Sequence, residues 1–280
     1  MKIAVMTDST AYIIKDVREE KQIHMVPLSV QFEEASFQEE IDITTDQFYE
    51  KLREVKELPK TSQPSIGLIT SKLEELAKDY DAVISIHLSS GISGTYQAVA
   101  SAGEMVEGIE VYPYDSEISC MAQGFYVLEA VEMIQEGKQP TKIMERLDEI
   151  KSSLRAYFMV DDLSNLQRGG RLNGAQAIVG SLLQVKPILH FVNKIIVPFE
   201  KIRTKKKAIN RILGLLDEDA GEGKQLKVVF IHANAESDAI ALQKSFLEKY
   251  PEMDTSISYF GPVIGTHLGE GALGVGWYKK

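Results

Sequence analysis

Short apolar runs alternate with stretches of helical periodicity through the first half of the chain. Residues 3–6 (Ile-Ala-Val-Met), 24–32, 82–87 (Ala-Val-Ile-Ser-Ile-His) and 109–114 read as buried strands. Between them, residues 44–57 place Phe48, Leu52 and Val55 on one helical face behind a Thr44 or Thr45 cap. Residues 66–79 turn Leu68, Leu73 and Leu76 inward in the same way. Pro59 and Pro64 make residues 58–65 a loop. Further helices are expected over 95–106, 119–136 and 141–153, the last two separated by Gly137 and Pro140. Strands that alternate with helices predict a parallel sheet with helices on both faces.

The second half has a different rhythm. Residues 156–160 (Ala-Tyr-Phe-Met-Val) read as a strand, followed by a short helix, a loop through Gly169-Gly170 and a helix over 172–183. Residues 185–192 and 195–201 bracket Asn193-Lys194 and predict a hairpin. A helix over 204–217, strand 227–232, helix 236–249, strand 255–260 and a terminal strand over 272–278 complete an α+β pattern. The expected fold is therefore two-domain α/β, with an N-terminal domain over 1–155 and a C-terminal α+β domain over 156–280.

Composition narrows the function class. The 280 residues are 44% hydrophobic and 26% charged, which is ordinary for a globular chain. A net charge of −10 disfavours nucleic acid as a partner unless a strong basic patch overcomes the chain's own field. Cys120 is the single cysteine, which excludes an internal disulfide and a cysteine-clustered zinc site, and it sits in an apolar helical pattern that suits an inert core thiol. The five histidines never fall at helical metal spacing. No apolar run approaches the roughly 18 residues of a membrane span, and the opening residues turn polar too soon for a signal peptide. The expectation is a cytoplasmic protein acting on a small molecule or another protein, with no cofactor or metal, no integral membrane association and at most a transient membrane contact.

In a parallel α/β sheet, ligands sit beyond the carboxyl ends of the strands. Here those ends are Thr7-Asp8-Ser9, His87-Leu88-Ser89-Ser90 and Asp115-Ser116. The two Asp-Ser pairs read as turn and cap chemistry. Residues 89–96 (Ser-Ser-Gly-Ile-Ser-Gly-Thr-Tyr) follow a buried strand and open a helix. Their small side chains, hydroxyls and free N–H groups suit an anion, and the bland alternative is a well-capped turn. Residues 60–65 form another polar segment in which Ser65 caps the next helix. Arg168 and Arg171 flank a Gly-Gly turn, and Lys201, Arg203, Lys205, Lys206 and Lys207 add a second cationic cluster suited to an acidic or phosphorylated partner. Two near-motifs fail. Gly269-Glu270-Gly271-Ala272-Leu273-Gly274 matches a dinucleotide fingerprint but leaves no room for the helix that must follow, and Thr95 breaks the nucleophile elbow at 91–95. There is no P-loop for ATP.

The ordered set Thr7-Asp8-Ser9, Thr61-Ser62-Gln63-Pro64-Ser65, Ser90-Gly91-Ile92-Ser93-Gly94-Thr95-Tyr96-Gln97, Asp115-Ser116, Asp161-Asp162-Leu163, Gly169-Gly170-Arg171, Lys186-Pro187-Ile188-Leu189, Lys201-Ile202-Arg203 and His267 with its glycine-rich tail resembles the DegV family over essentially the whole chain. Members of that family resemble the fatty-acid-binding subunit of bacterial fatty acid kinase. The resemblance implies two domains with a long-chain fatty acid buried between them. It also implies a separate ATP-binding kinase subunit that phosphorylates the bound carboxylate in phospholipid metabolism, so that this chain carries substrate without catalysing. On the same resemblance, Thr61, Ser62, Ser93, Gly94 and His267 hold the carboxylate, while Arg171 and Arg203 dock the kinase subunit. Leu268 and Glu270 depart from the family's tail, where a small residue and a proline are expected, and Asn193-Lys194 departs from an Asp-Gly-like turn. Glu270 would repel a carboxylate if it pointed inward. Two other function classes remain open: a stand-alone hydrolase or phosphotransferase using Ser93, His267 and Asp8 or Asp115, and a lipid-binding regulator.

Overall fold

A computed structural model describes residues 1–33, 35–172, 186–221 and 223–280. The N-terminal half comprises β1 (Ile3–Asp8), a 3-10 turn (Ser9–Ala11), α1 (Lys15–Glu20), β2 (Ile23–Val26), β3 (Ser29–Phe32), β4 (Ala35–Gln38), α2 (Thr45–Glu54) and β5 (Lys60–Ser62). It continues with α3 (Ile66–Leu76), β6 (Ala82–His87), α4 (Thr95–Gly103), β7 (Glu110–Asp115), α5 (Cys120–Gln135) and α6 (Pro140–Ser153). Its main sheet has the order β2-β1-β6-β7 with every pair parallel. Both faces are covered. Along β1, Val5 enters the core shared with α5, while Ala4 and Met6 enter the core shared with α3 and α4. A strand buried on both sides reads as a continuous apolar run, which is why residues 3–6 are legible.

The C-terminal half comprises β8 (Arg155–Met159), α7 (Ser164–Arg168), β9 (Ile188–Val192), β10 (Ile195–Glu200), α8 (Lys205–Ala220), β11 (Leu226–His232), α9 (Glu236–Leu247), β12 (Asp254–Tyr259), α10 (Pro262–Leu268) and β13 (Leu273–Lys279). Its sheet is mixed, in the order β10-β9-β8-β13-β11-β12, with only β11 and β12 parallel. The fold is thus two-domain α/β, a parallel N-terminal sheet between helices and an α+β C-terminal half. The hairpin turns through Asn193 and Lys194, both at positive φ (49° and 73°), as a two-residue turn requires. The helix expected over 172–183 lies outside the described residues beyond Leu172.

Two local expectations need correction. Residues 24–32 are two strands in two sheets rather than one, because Pro27 has no N–H to continue the ladder. The loop expected over 58–65 contains β5, whose polar residues pair with β3 (Val30 opposite Thr61) in a three-stranded antiparallel sheet β4-β3-β5. The segment after β12 is a helix, α10, with Pro262 at its first position, where a missing N–H costs nothing. That helix belongs to the C-terminal half by sequence, yet it packs on α2, β3 and β5 of the N-terminal half.

Candidate functional site

A cleft with about 560 Å³ of empty volume lies between the C-terminal sheet and α5. Its existence follows from the alternation of β13. Leu273, Val275 and Trp277 point to the core under α8 and α9. Gly274 and Gly276 occupy the opposite face and leave it without side chains, so the sheet presents a bare groove toward α5. A Cβ at Gly276 would touch Ala122 of α5 at 3.4 Å, which shows how little depth the groove has to spare. Phe158, Phe260, Ile264, Leu268 and Cys120 add apolar walls. Burial pushes the Cys120 thiol up to about 12, so it lines the cleft as an unreactive group.

One end of the cleft is polar. His267, on the last turn of α10, is 9% exposed, and its Nε2 lies 2.9 Å from Thr61 Oγ1. Its Nδ1 is buried with no hydrogen-bond partner among the described residues. Burial, and then the nearby Arg171 guanidinium, lower the imidazole to about 4, so it is neutral at pH 7. The ring rests on Gly169, where a Cβ would come within 2.3 Å of Nδ1. Arg171 is half-buried, lines the cleft, and donates from Nε to Ile92 O (3.2 Å) and from Nη1 to Gly169 O (2.6 Å). The next residue after Ile92 is Ser93, whose Oγ lies 2.9 Å from Thr95 Oγ1 and accepts from Thr95 N–H at 3.3 Å. Gly94 caps α4, and a Cβ there would strike Gln63 Oε1 at 2.1 Å. The 89–96 loop therefore abuts the segment that carries Thr61.

The structure links Thr61 directly to His267, and it links Ser93 and Gly94 to them through Arg171 and Gln63. Ser62 is apart from this group. Neighbouring strand positions project to opposite faces, and Ser62 is exposed while Thr61 turns toward His267. Arg203 is exposed, outside the cleft lining. Arg171 takes no part in a pair with Asp161 or Asp162, because Lys186 holds Asp161 (2.8 Å) and Ser164 holds Asp162. Glu270 points away from the site. Arg53 binds its carboxylate in two hydrogen bonds, Asn234 adds a third at 2.7 Å, and Arg53 holds its pKa below the usual range. Leu268 is buried and lines the cleft.

The Asp-Ser pairs serve the backbone. Asp8 accepts from Thr10 N–H and Leu88 N–H, and Asp115 from Ser90 N–H and Glu117 N–H. Asp8 also meets His87 Nδ1 at 3.0 Å, and His87 Nε2 meets Ser85 Oγ at 2.6 Å. This Ser-His-Asp relay has the connectivity of a hydrolase triad, but all three residues are fully buried. Ser93 and His267 are hydrogen-bonded to Thr95 and Thr61, not to each other, and neither carboxylate orients His267. Sequence reasoning missed the groove itself. Its signal was the alternation Leu-Gly-Val-Gly-Trp over 273–277, whose first two residues also ended the discarded dinucleotide motif.

Comparison with known proteins agrees over the whole chain. A family model described as DegV, an uncharacterised protein family, matches residues 2–280. The chain is 60% identical to Protein DegV of Bacillus subtilis (strain 168), with 100% of both chains covered. Its structure is similar to the crystal structure of DegV, a fatty acid binding protein from Bacillus subtilis (60% identity, TM-score 0.96, 100% of both chains). It is also similar to a fatty acid binding DegV family protein from Streptococcus agalactiae (33% identity, TM-score 0.92, 100% of this chain and 99% of that one). A DegV family protein from Thermus thermophilus, described by its fatty acid binding, gives 30% identity and TM-score 0.92 with 100% of both chains covered.

Proposed function

The chain belongs to the DegV family, and on that premise we propose that it binds a long-chain fatty acid in the cleft and presents the carboxylate to a separate ATP-binding kinase subunit, in the cytoplasm, for conversion to an acyl phosphate. The observation that carries this reading is the shape of the cleft: an apolar groove between the domains with polar groups gathered at one end. An acyl chain of about 14 methylenes, at roughly 0.8 kcal/mol each, gains about 11 kcal/mol gross on burial, before association and ordering costs. Acyl burial then supplies most of the affinity, and the polar end adds to it and sets which way round the acid lies.

At that end the groups suit a carboxylate. Arg171 brings a cation into a partly desolvated mouth, Thr61 and Ser93 offer hydroxyls, and Gly94 opens a helix whose first N–H groups have no intrahelical acceptors. His267, neutral and bonded to Thr61, orients that hydroxyl without adding charge. The sequence has no P-loop, so the nucleotide belongs to the partner subunit. Arg203, exposed in the cationic 201–207 stretch, suits the rim of a contact with an acidic face, where charge acts mainly on association rate. Mass spectrometry of the chain purified from a bacterial host is expected to show bound long-chain fatty acid. Ser93→Ala should cost on the order of 1–3 kcal/mol at the headgroup, with the acyl-phosphate rate falling more than the bound lipid content. Purified chain that takes up no added fatty acid would refute the binding. A Ser93→Ala protein phosphorylated at the wild-type rate would refute the headgroup assignment.

A further inference from the structure

The polar mouth of the cleft is assembled from both halves of the chain. Ser93, Gly94 and Thr61 come from the N-terminal half, and Arg171 and His267 from the C-terminal half. A headgroup that meets both sets depends on how the halves stand to each other. Close to Ser93 they are joined by the loop after β6 and the tip of the β9–β10 hairpin. The bonds converge on Ser89, which is fully buried. Its carbonyl accepts from Ile92 N–H (3.1 Å) and Ser93 N–H (3.2 Å), and its N–H donates to Ile118 O at 2.7 Å. Its hydroxyl donates to Lys194 O at 2.7 Å and accepts from Gly91 N–H at 3.3 Å. Every polar atom of Ser89 is engaged, and the hydroxyl alone reaches the other half. Ile92, held by the same carbonyl, passes its own carbonyl to Arg171 Nε at 3.2 Å. Ser90 extends the clasp: its N–H and hydroxyl bind Asp115, and Lys194 Nζ lies 2.9 Å from that carboxylate. The hairpin tip sits tightly on the loop, since a Cβ at Gly91 would come within 2.3 Å of Lys194 O.

We propose that Ser89 is a positioning residue of the headgroup site, whose hydroxyl registers the Ser93 loop against the C-terminal half, an inference that rests on the fatty-acid reading above. A single backbone hydrogen bond, Ser93 N–H to Ser89 O, separates the tie from the residue that it places. The acceptor across the interface is the Lys194 carbonyl, so the tie does not depend on the lysine side chain. Without the hydroxyl, Lys194 O and Gly91 N–H lose their partner, and the loop is free to shift relative to Arg171 and His267. A hydrogen bond weakens steeply as its donor leaves line, so a small displacement of Ser93 is felt at a bound carboxylate. Acyl burial does not pass through Ser89, so the lipid stays in the cleft. A serine that only braces its own turn would, in contrast, affect stability and leave the headgroup as it was.

The test is carbon-13 NMR of palmitic acid labelled at its carboxyl carbon, bound to wild type, Ser89→Ala, Ser93→Ala and the double variant, and titrated with pH. The carboxyl signal reads the pKa of the bound acid directly. Ser93→Ala should raise that pKa by about 1, the roughly tenfold that a charge-assisted hydrogen bond contributes. Ser89→Ala should raise it by about half as much, because the bond is misaligned and not removed, with lipid content by native mass spectrometry unchanged. In the double variant Ser89→Ala should add less than half of what it adds alone, since it acts through Ser93. Gly91→Ala leaves the Ser89 hydroxyl in place but pushes Lys194 O away. It is expected to move the pKa in the same direction and serves where Ser89→Ala does not fold. A Ser89→Ala chain with the wild-type carboxyl pKa, or one whose effect adds in full to that of Ser93→Ala, would overturn the positioning role while leaving the fatty-acid reading in place. Ser93→Ala with the wild-type pKa would overturn the headgroup assignment and the positioning role with it. Wild type that takes up no palmitic acid would overturn the fatty-acid reading as well.

Discussion

The two ends of α10 are built on opposite terms. At its N-terminal end the helix is held by a buried network of hydrogen bonds. Val263 N–H donates to Glu39 Oε1 at 2.7 Å, Ile264 N–H to Tyr12 Oη at 3.2 Å, and Tyr12 Oη to Glu39 Oε1 at 2.9 Å. Ser9 Oγ donates to Glu39 Oε2, and Tyr49 Oη to the Phe260 carbonyl just before the helix. At its C-terminal end, His267 has one partner, Thr61, and one buried nitrogen with none among the described residues. The first end is an anchor that ties the helix to the other domain. The second is a ring held in place mainly by packing, as suits a group that must meet something from outside. A seven-residue helix is too short to be stable by itself, so the anchor decides where His267 stands.

The largest effect is therefore expected from breaking the anchor. Glu39→Ala leaves the Ser9 and Tyr12 hydroxyls and the Val263 N–H without their acceptor in a fully buried site, at a cost of about 3 kcal/mol or more in chemical denaturation. Glu39→Gln keeps the shape and tests the charge. Burial pushes Glu39 up from 4.5 to about 8, so the folded state holds a proton that the unfolded state has released between those values. Its contribution is complete below pH 4.5 and is lost as pH rises to about 8. The neutral amide should flatten that decline, seen as a smaller drop in Tm between pH 5 and pH 9 than in wild type. An unchanged pH profile in Glu39→Gln would show that the carboxyl is already ionised in the fold.

The next effect tests how the unanchored end is held. Gly169 has φ −71°, so its backbone would accept an alanine without strain. The obstacle is contact: the added Cβ would sit 2.3 Å from His267 Nδ1. Gly169→Ala is expected to cost about 1–3 kcal/mol through overpacking and to displace the ring from Thr61. Fatty-acid loading should fall with it, and ring NMR signals of His267 should shift. If loading and signals both stay as in wild type, the ring has room to move and packing does not position it.

The difference between the two ends also explains what the sequence disclosed. The contact between His267 and Thr61 was accessible through the family resemblance, which put both residues in one group. Glu39 was not, since nothing in Phe37-Gln38-Glu39-Glu40 distinguishes a fully buried carboxyl from its partly exposed neighbours. Its role depends on Ser9, Tyr12 and Val263, which lie far from it in the chain. The parallel sheet was legible from its continuous apolar runs. β5 was not, because Lys-Thr-Ser between two prolines has no apolar period and is a strand only through pairing with β3. The cleft needed tertiary information of another kind: Gly274 and Gly276 make a groove only because α5 lies across them. Arg171 was expected at a docking rim, and its half-buried place at the cleft mouth depends on the Ile92 carbonyl 79 residues away.

The smallest change in stability is expected from His267→Ala, which sharpens the comparison because it removes a whole side chain from the same helix. The loss comprises one hydrogen bond to a half-buried hydroxyl that water can replace, and the packing against Gly169. Against it stands the relief of a buried nitrogen without a partner, worth about 1–3 kcal/mol, so the net change should stay within about 1 kcal/mol near neutral pH. The pH dependence has the opposite sign to that of Glu39. Burial and Arg171 lower His267 from 6.5 to about 4, so between those values the unfolded chain binds a proton that the folded one does not. Wild type loses this contribution as pH falls from 6.5 toward 4, and His267→Ala should lose less over the same window. Fatty-acid loading, in contrast, should drop, because Thr61 no longer has a partner to orient its hydroxyl. Thermal melts at pH 7 and pH 4.5, with lipid content measured on the same samples, separate these outcomes. A variant that melts several degrees early at pH 7 would show that the C-terminal end is an anchor like the other. One that keeps its lipid would remove His267 from the site.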